Sequence, residues 1–351
     1  MRAYLLTAAA CAAVALACGT AVSAVADSGP SVAFSLSDPR ITESSGLAAS
    51  RLHPGVYWTH NDSDDGPYVY AVDSATGKTV ARVTLRGIQA RDVEAISLGP
   101  DGDLYVGDIG DNLGGTWPEV WIYRFPEPRQ LGDRTVDVTR YTVRYDAGPR
   151  NAEALMVHPT TGRVYIASKN QEGGALYAGP AKLSADGVNT FHRIADVPWV
   201  TDGAFSPDGT RLVLRGYLGA TGYRWADGAP HKIGGLDVPM QRQGESVTFT
   251  TDGRNLMFGS EGKNSDVWRA PLSGDELPDS VAASASASAD DHKGAGASPG
   301  ASPGASPGTV KDTGTTSTGS RVVGIGVLAV IGAIGVGARK LLRRNRERHR
   351  D

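Results

Sequence analysis

Cysteine is nearly absent from the 351 residues: Cys11 and Cys18 are the only two, and both lie in an apolar stretch at the N-terminus. Removal of that stretch on export leaves a chain without thiols. Disulfide scaffolding, a cysteine nucleophile and thiolate-held zinc or iron–sulfur sites are thereby excluded. Residues 27–275 also lack a Gly-x-Ser-x-Gly elbow, a His-Glu-x-x-His pair and a P-loop, the usual marks of serine hydrolases, zinc proteases and nucleotide-binding enzymes. Charge of one sign is not in excess either, with 35 Lys and Arg against 38 Asp and Glu. Over residues 27–275 the balance is 24 basic to 31 acidic, a formal charge of −7, which argues against nucleic acid as a partner.

The ends of the chain read as export and anchoring. Arg2, a short apolar run over residues 5–17 and the small residues Ala24, Val25 and Ala26 have the pattern of a cleaved secretory signal, residues 1–26. Lipidation of Cys18 is the alternative. Residues 322–338 form a second uninterrupted apolar run, followed by Arg339, Lys340 and a cluster of further arginines. A transmembrane helix over residues 321–340 with a basic cytoplasmic tail, 341–351, is expected, the tail inside by its charge. Residues 276–320 are rich in Ala, Ser, Gly and Pro and have little to bury, the composition of a disordered linker. No Leu-Pro-x-Thr-Gly sorting signal occurs. The expected location is the cell membrane, single-pass, with residues 27–275 extracytoplasmic.

Those residues alternate short β-rich runs with turn tokens such as Pro100-Asp101-Gly102, Pro207-Asp208-Gly209 and Thr251-Asp252-Gly253. The tokens expose a repeat. Glu94, Thr201 and Glu245 each stand seven residues before an Asp-Gly turn; Glu153 and Ser45 occupy the matching place before turns of different length. The starts are 49, 59, 48 and 44 residues apart, room for about four strands each. Radially repeated four-stranded units predict an all-β, five-bladed β-propeller. The last repeat supplies three strands, and residues 32–36 are expected to complete it as its outer strand, closing the ring.

The turn Phe205-Ser206-Pro207-Asp208-Gly209 resembles those of WD40-like and TolB-like bacterial propeller blades. The series Ser45, Glu94, Glu153, Thr201, Glu245 is similar to the Ser-Glu-Glu-Ser-Glu ring of the calcium-activated nucleotidase (apyrase) family, with Thr201 in place of a serine. That resemblance implies a five-bladed propeller whose central tunnel holds calcium through these side chains.

Physical chemistry independently asks for compensation there. Three carboxylates and two hydroxyls brought around one axis cannot all stay ionised without a counter-charge. Calcium, which accepts 6–8 oxygen ligands in tolerant geometry, is one solution. Arg91, Arg150 and Arg242, each three residues before a ring glutamate, are the other. The loops leading into the ring gather further ligand-binding candidates: Asn61, Asp62, Asp108, Asp111, Arg150, Lys169, Arg215 and Glu261. The expected function is a binding or sensing module for an extracellular small-molecule, glycan or peptide ligand, with a structural calcium on the axis. The alternative is a calcium-dependent phosphohydrolase in which Arg150, Lys169 and Arg215 grip phosphate.

Overall fold

The computed structural model describes residues 29–62 and 65–285. The expected signal, membrane span, cytoplasmic tail and the linker beyond 285 lie outside the described residues. Among the described residues no helix is long and apolar enough to cross a membrane.

Among the described residues, twenty-one strands make up an all-β body. After β1 (Ser31–Ser35), the chain runs through meanders. The first is β2 (Ser44–Ala49), β3 (Val56–Asn61), β4 (Tyr68–Asp73) and β5 (Lys78–Leu85). The second is β6 (Val93–Leu98), β7 (Asp103–Asp108) and β8 (Val120–Pro126), then the short β9 (Arg134–Val136), then β10 (Thr139–Tyr145). The third is β11 (Ala152–Val157), β12 (Val164–Ser168), β13 (Gly174–Ala178) and β14 (Val188–Val197). The fourth is β15 (Asp202–Phe205), β16 (Arg211–Arg215), β17 (Ala220–Ala226) and β18 (Ala229–Leu236). The last is β19 (Gly244–Phe249), β20 (Asn255–Ser260) and β21 (Asp266–Pro271).

The first strand of each meander is its inner one. β2 lies beside β6, β6 beside β11, β11 beside β15, β15 beside β19, and β19 returns to β2. A closed ring of radially repeated meanders is a propeller-type architecture. β1 pairs antiparallel with β21, so the N-terminal strand supplies the outer edge of the C-terminal sheet.

Hydrophobic burial explains why the inner strands read as continuous apolar runs instead of alternating ones. Each sheet is sandwiched between two neighbours, so both of its faces are covered. Leu47 and Tyr57 pack toward the last meander, with Phe34, Met257 and Val267. Ala48 and Trp58, one position along, pack toward the second, with Leu104, Val106 and Phe125. Equivalent cores lie between the second and third, third and fourth, and fourth and last meanders. In the turn before the second strand, Gly55, Gly102, Gly162, Gly209 and Gly253 all take left-handed φ of +69° to +80°, which accounts for the recurring Asp-Gly or Thr-Gly token.

Two pairings go beyond separate four-stranded units. β14 is ten residues long: His192–Val197 pair with β13, while Val188–Phe191 pair in parallel with β10. The second and third meanders thus share one eight-stranded sheet. β9 adds in parallel to β5, covering the outer edge of the first meander.

The chain also stays attached to the body past residue 275, where the sequence composition already turns linker-like. Asp279 pairs with Arg211 and Arg224, the Ser280 amide donates to Asp208, and Val281 is buried. This contact lies at the Asp-Gly-turn end of the inner strands, opposite the end at which the ring residues stand.

Candidate functional site

The ring residues come together through a shared backbone irregularity. The antiparallel register between first and second strands slips between Ser44 and Gly46, Val93 and Ala95, Ala152 and Ala154, and Gly244 and Ser246. The skipped residues are Ser45, Glu94, Glu153 and Glu245. A bulge leaves one residue outside the ladder and re-aims its side chain. In the fourth meander the ladder is regular from Asp202, and Thr201 stands just ahead of it, its amide donating to the Arg215 carbonyl at 2.7 Å. All five are buried, at 2% exposure or less.

Their side chains engage one another and one cation. Ser45 Oγ lies 3.4 Å from Glu94 Oε2, and Thr201 Oγ1 donates to the Gly244 carbonyl at 3.0 Å. The Lys169 ammonium is 2.5 Å from Glu153 Oε2 and donates to Tyr217 Oη at 2.7 Å. It also acts electrostatically on Glu245 and Glu94. Burial would lower the Lys169 pKa, but Glu153 and Glu245 outweigh it and the group is raised, so the ammonium stays charged. Burial pushes Glu153 up to about 7 against the pull of Lys169, and Glu245 likewise to about 7. Glu94 is raised well above its ordinary value, first by burial and then by the negative charges of Asp62, Glu153 and Asp92. Glu94 Oε1 and Glu245 Oε2 are buried and have no hydrogen-bond partner.

The compensation therefore differs from the arginine pairing that the sequence suggests. Arg91 lies over the Trp121 ring at 3.4 Å and Trp117 at 4.3 Å, with its Nε 3.7 Å from Asp108. Arg150 donates to the carbonyls of Ala147 and Gly148 and covers Tyr177. The ion pair to Glu153 comes from Lys169, which follows β12 directly.

The remaining candidates divide by what holds them. Asn61 is consumed locally: its Oδ1 accepts from the amides of Thr42 and Glu43, and its Nδ2 donates to Asp65. Asp108 accepts from the amides of Arg91 and Asp92 and from Tyr123 Oη, fixing the loop into β6. Asp111 accepts from the Trp117 amide at 2.6 Å and from Thr116. Arg215 is fully buried and bridges the fourth and last meanders, donating to the carbonyls of Ser246 and Gly259 and to Gln241. Glu261 acts electrostatically on Glu245. Asp62 does join the ring region: carboxylate oxygens of Asp62, Asp92 and Glu94 lie within 4.8 Å of one another.

Asp92, which the sequence places on the same loop face as Asp62, joins the site, and Tyr217 and Gln243 complete it without having been singled out. Gln243 Nε2 donates to Glu245 Oε1 at 3.0 Å. A signal for two of them was present, since Asp92 and Gln243 stand two residues before a ring glutamate. Asn151, two before Glu153, accepts from the Asp111 amide and donates to Asn112. The position two before each glutamate thus forms a second polar tier above the ring. Tyr217 follows β16, and no spacing links it to Lys169.

As an all-acidic cage for one central ion, the ring is a poor fit, because the ammonium of Lys169 already neutralises Glu153 and faces Glu245. The Asp62, Asp92 and Glu94 side has the donor chemistry of a calcium site: hard oxygens close together, with the buried Glu94 Oε1 lacking a hydrogen-bond partner.

No protein-family model matches the chain, and comparison with curated proteins finds no match. Among solved structures, the chain is similar to the PQQ-bound form of an aldose sugar dehydrogenase from Streptomyces coelicolor. Identity is 12% and the TM-score 0.41, over 68% of this chain and 97% of that one.

Proposed function

We propose that this protein is a five-bladed propeller that binds or senses an extracellular ligand on the loop face around the ring, held at the membrane by its C-terminal span. Residues 1–26 would be its export signal and the segment up to 320 its stalk. The observation that carries the reading is the convergence of Glu94, Glu153 and Glu245, buried, from three separate meanders onto Lys169. A stability-driven core would fill such a place with apolar side chains, because burying charge costs several kcal/mol per ion. A binding site at a ring mouth uses polar groups of this kind, and Trp199, Tyr217 and Asp62 stand beside them.

The ligand class is a small molecule, glycan or peptide. A structural calcium is part of the reading, supported by the oxygen donors of Asp62, Asp92 and Glu94 and by the unpartnered Oε1 of Glu94. The likeness of the ring to that of apyrases does not extend to phosphate chemistry here. Two of the three cations needed to grip phosphate, Arg150 and Arg215, are spent on backbone carbonyls.

The test is a thermal-shift screen of the full chain in detergent against glycan, peptide and metabolite collections, repeated with Lys169→Met and Glu153→Gln. A ligand that raises the Tm of the parent, and of neither variant, is expected. Ligands that stabilise parent and variants alike would move the binding surface elsewhere, and phosphate release from nucleotides would restore the hydrolase reading.

A further inference from the structure

Resting on the cation included in that reading, we infer that the divalent ion sits off the axis. Its site is between the first and second meanders, on Asp62, Asp92 and Glu94, with part of its coordination sphere open to a ligand.

The three carboxylates come from different parts of the fold. Asp62 directly follows β3 and opens the loop to β4; Asp92 closes the loop into β6; Glu94 is the bulged residue of β6. One oxygen from each lies within 4.8 Å of the others, the spread of donors around a shared calcium with bonds of ~2.3–2.6 Å. Acidic residues alone would not establish a site. Glu94 Oε1 is a separate observation: it is buried, has no hydrogen-bond partner, and points at the backbone of Gly110 in company with Asp92 Oδ2. A Cβ at Gly110 would come within 2.6 Å of the Asp92 carboxylate and 2.7 Å of Glu94 Oε1. The sequence therefore leaves a side-chain-free wall beside these oxygens, and an unpaired buried carboxylate oxygen costs stability unless something meets it.

The axis itself offers less. Glu153 has Lys169 at 2.5 Å, and Glu245 accepts from Gln243 while facing the same ammonium. A divalent ion placed centrally would stand beside a fixed positive charge, whereas the charges that weigh most on Glu94 are the negative ones of Asp62, Glu153 and Asp92, with Lys169 behind them.

Three carboxylates supply at most six oxygens and, in the one-atom-each arrangement seen, three. Calcium needs 6–8. The remaining positions fall to water or to a ligand, and Asp62 provides the route. It lines a cavity of about 10 Å³, room for one water or one ligand oxygen, shared with Asn61, Asp65, Tyr68 and Ile88. A ligand oxygen entering this cavity meets the metal through Asp62. The ion then recognises ligand as well as cementing two meanders.

The experiment is calorimetric titration of the full chain, stripped with chelator and held in detergent, with calcium chloride alone. One ion per chain is expected, with a rise in Tm. Asp92→Asn and Asp62→Asn should weaken the affinity at least 30-fold, while Glu245→Gln, across the axis, changes it less than fivefold. Gly110→Ala, which fills the wall without removing a donor, should weaken it as well and keeps the test open if an aspartate variant folds poorly. Loss of binding in Glu245→Gln with retention in Asp92→Asn would place the ion on the axis and overturn the inference. So would a parent chain that binds no calcium at millimolar concentration. Neither result depends on finding the ligand, so the inference can fail while the binding role stands, and the reverse.

Discussion

Replacing Lys169 by methionine keeps the aliphatic stem and removes the ammonium that pairs with Glu153. The Glu153 side chain is 3% exposed and that of Lys169 15%, so water screens the pair little. Breaking a buried pair by deleting one partner typically costs about 3–5 kcal/mol, because the other charge is stranded. Here the stranded group can escape by taking a proton, which makes the cost depend on pH. In the parent, burial sets the Glu153 carboxyl at about 7 even with Lys169 opposing. A carboxyl raised in the folded state is most favourable to folding below its unfolded value, near 4.5. That advantage is lost as pH rises toward 7, and the curve then levels. Without Lys169 the carboxyl rises further, so the decline continues above 7 at about 1.4 kcal/mol per pH unit until the new value is reached. Urea unfolding at pH 6, 7, 8 and 9, with chelator present throughout, should show parent and Lys169→Met diverging with pH. The gap should be small at pH 6 and about 3 kcal/mol at pH 9. Glu153→Gln added to Lys169→Met should remove most of the divergence. A gap below about 1 kcal/mol at pH 9, or one that does not change with pH, would show that Lys169 does not neutralise the ring.

Three other perturbations address separate parts of the body. Glu127→Ala removes the acceptor of the buried Trp58 indole N–H (2.7 Å) and of Ser50 Oγ, and should cost about 2–3 kcal/mol in urea unfolding, with Glu127→Gln costing less. Phe34→Ala in the closing strand deletes a buried ring stacked on Tyr57 at 5.5 Å. It should lower stability by about 3 kcal/mol, and equal fluorescence and circular dichroism midpoints would show that the ring still opens as one unit. The Arg40 guanidinium holds the Asp38 carboxyl well below its usual range, so its contribution is complete above about pH 4 and is lost as the pH falls further. Asp38→Asn should therefore cost about 1 kcal/mol at pH 6, discounted for the half-exposed Arg40, and nothing near pH 1.5, read from urea midpoints.

Much of the backbone was legible because one turn recurs at a fixed distance from the ring residue. The seven-residue step from Glu94, Thr201 and Glu245 to an Asp-Gly pair sets both the inner-strand length and the left-handed glycine after it. The closing strand was legible for a related reason: a last repeat short of one strand leaves an edge that residues near the N-terminus can cover. The cross-sheet pairings were not. The first four residues of β14 and the three of β9 carry ordinary strand patterns, and nothing local says that they turn to a neighbouring meander. The site was half visible. Ring residues could be aligned because each is placed by the same slip in register. Their counter-charge could not, since arginines at a regular offset of three are what the spacing offers, whereas the ion pair to Glu153 comes from Lys169. Arg91 and Arg150 lie over aromatic rings, while Lys169 reaches inward from the end of a second strand, where no repeat marks it.

The attachment of Asp279 and Ser280 to Arg211 and Asp208 fixes a polarity for the whole molecule. The polypeptide departs at the pole where the inner strands finish, and the carboxylates gather at the pole where they begin. The described chain therefore ends, at residue 285, on the side of the body that faces away from the carboxylates. A load applied there would meet Asp279 and its two arginines before any residue of the ring.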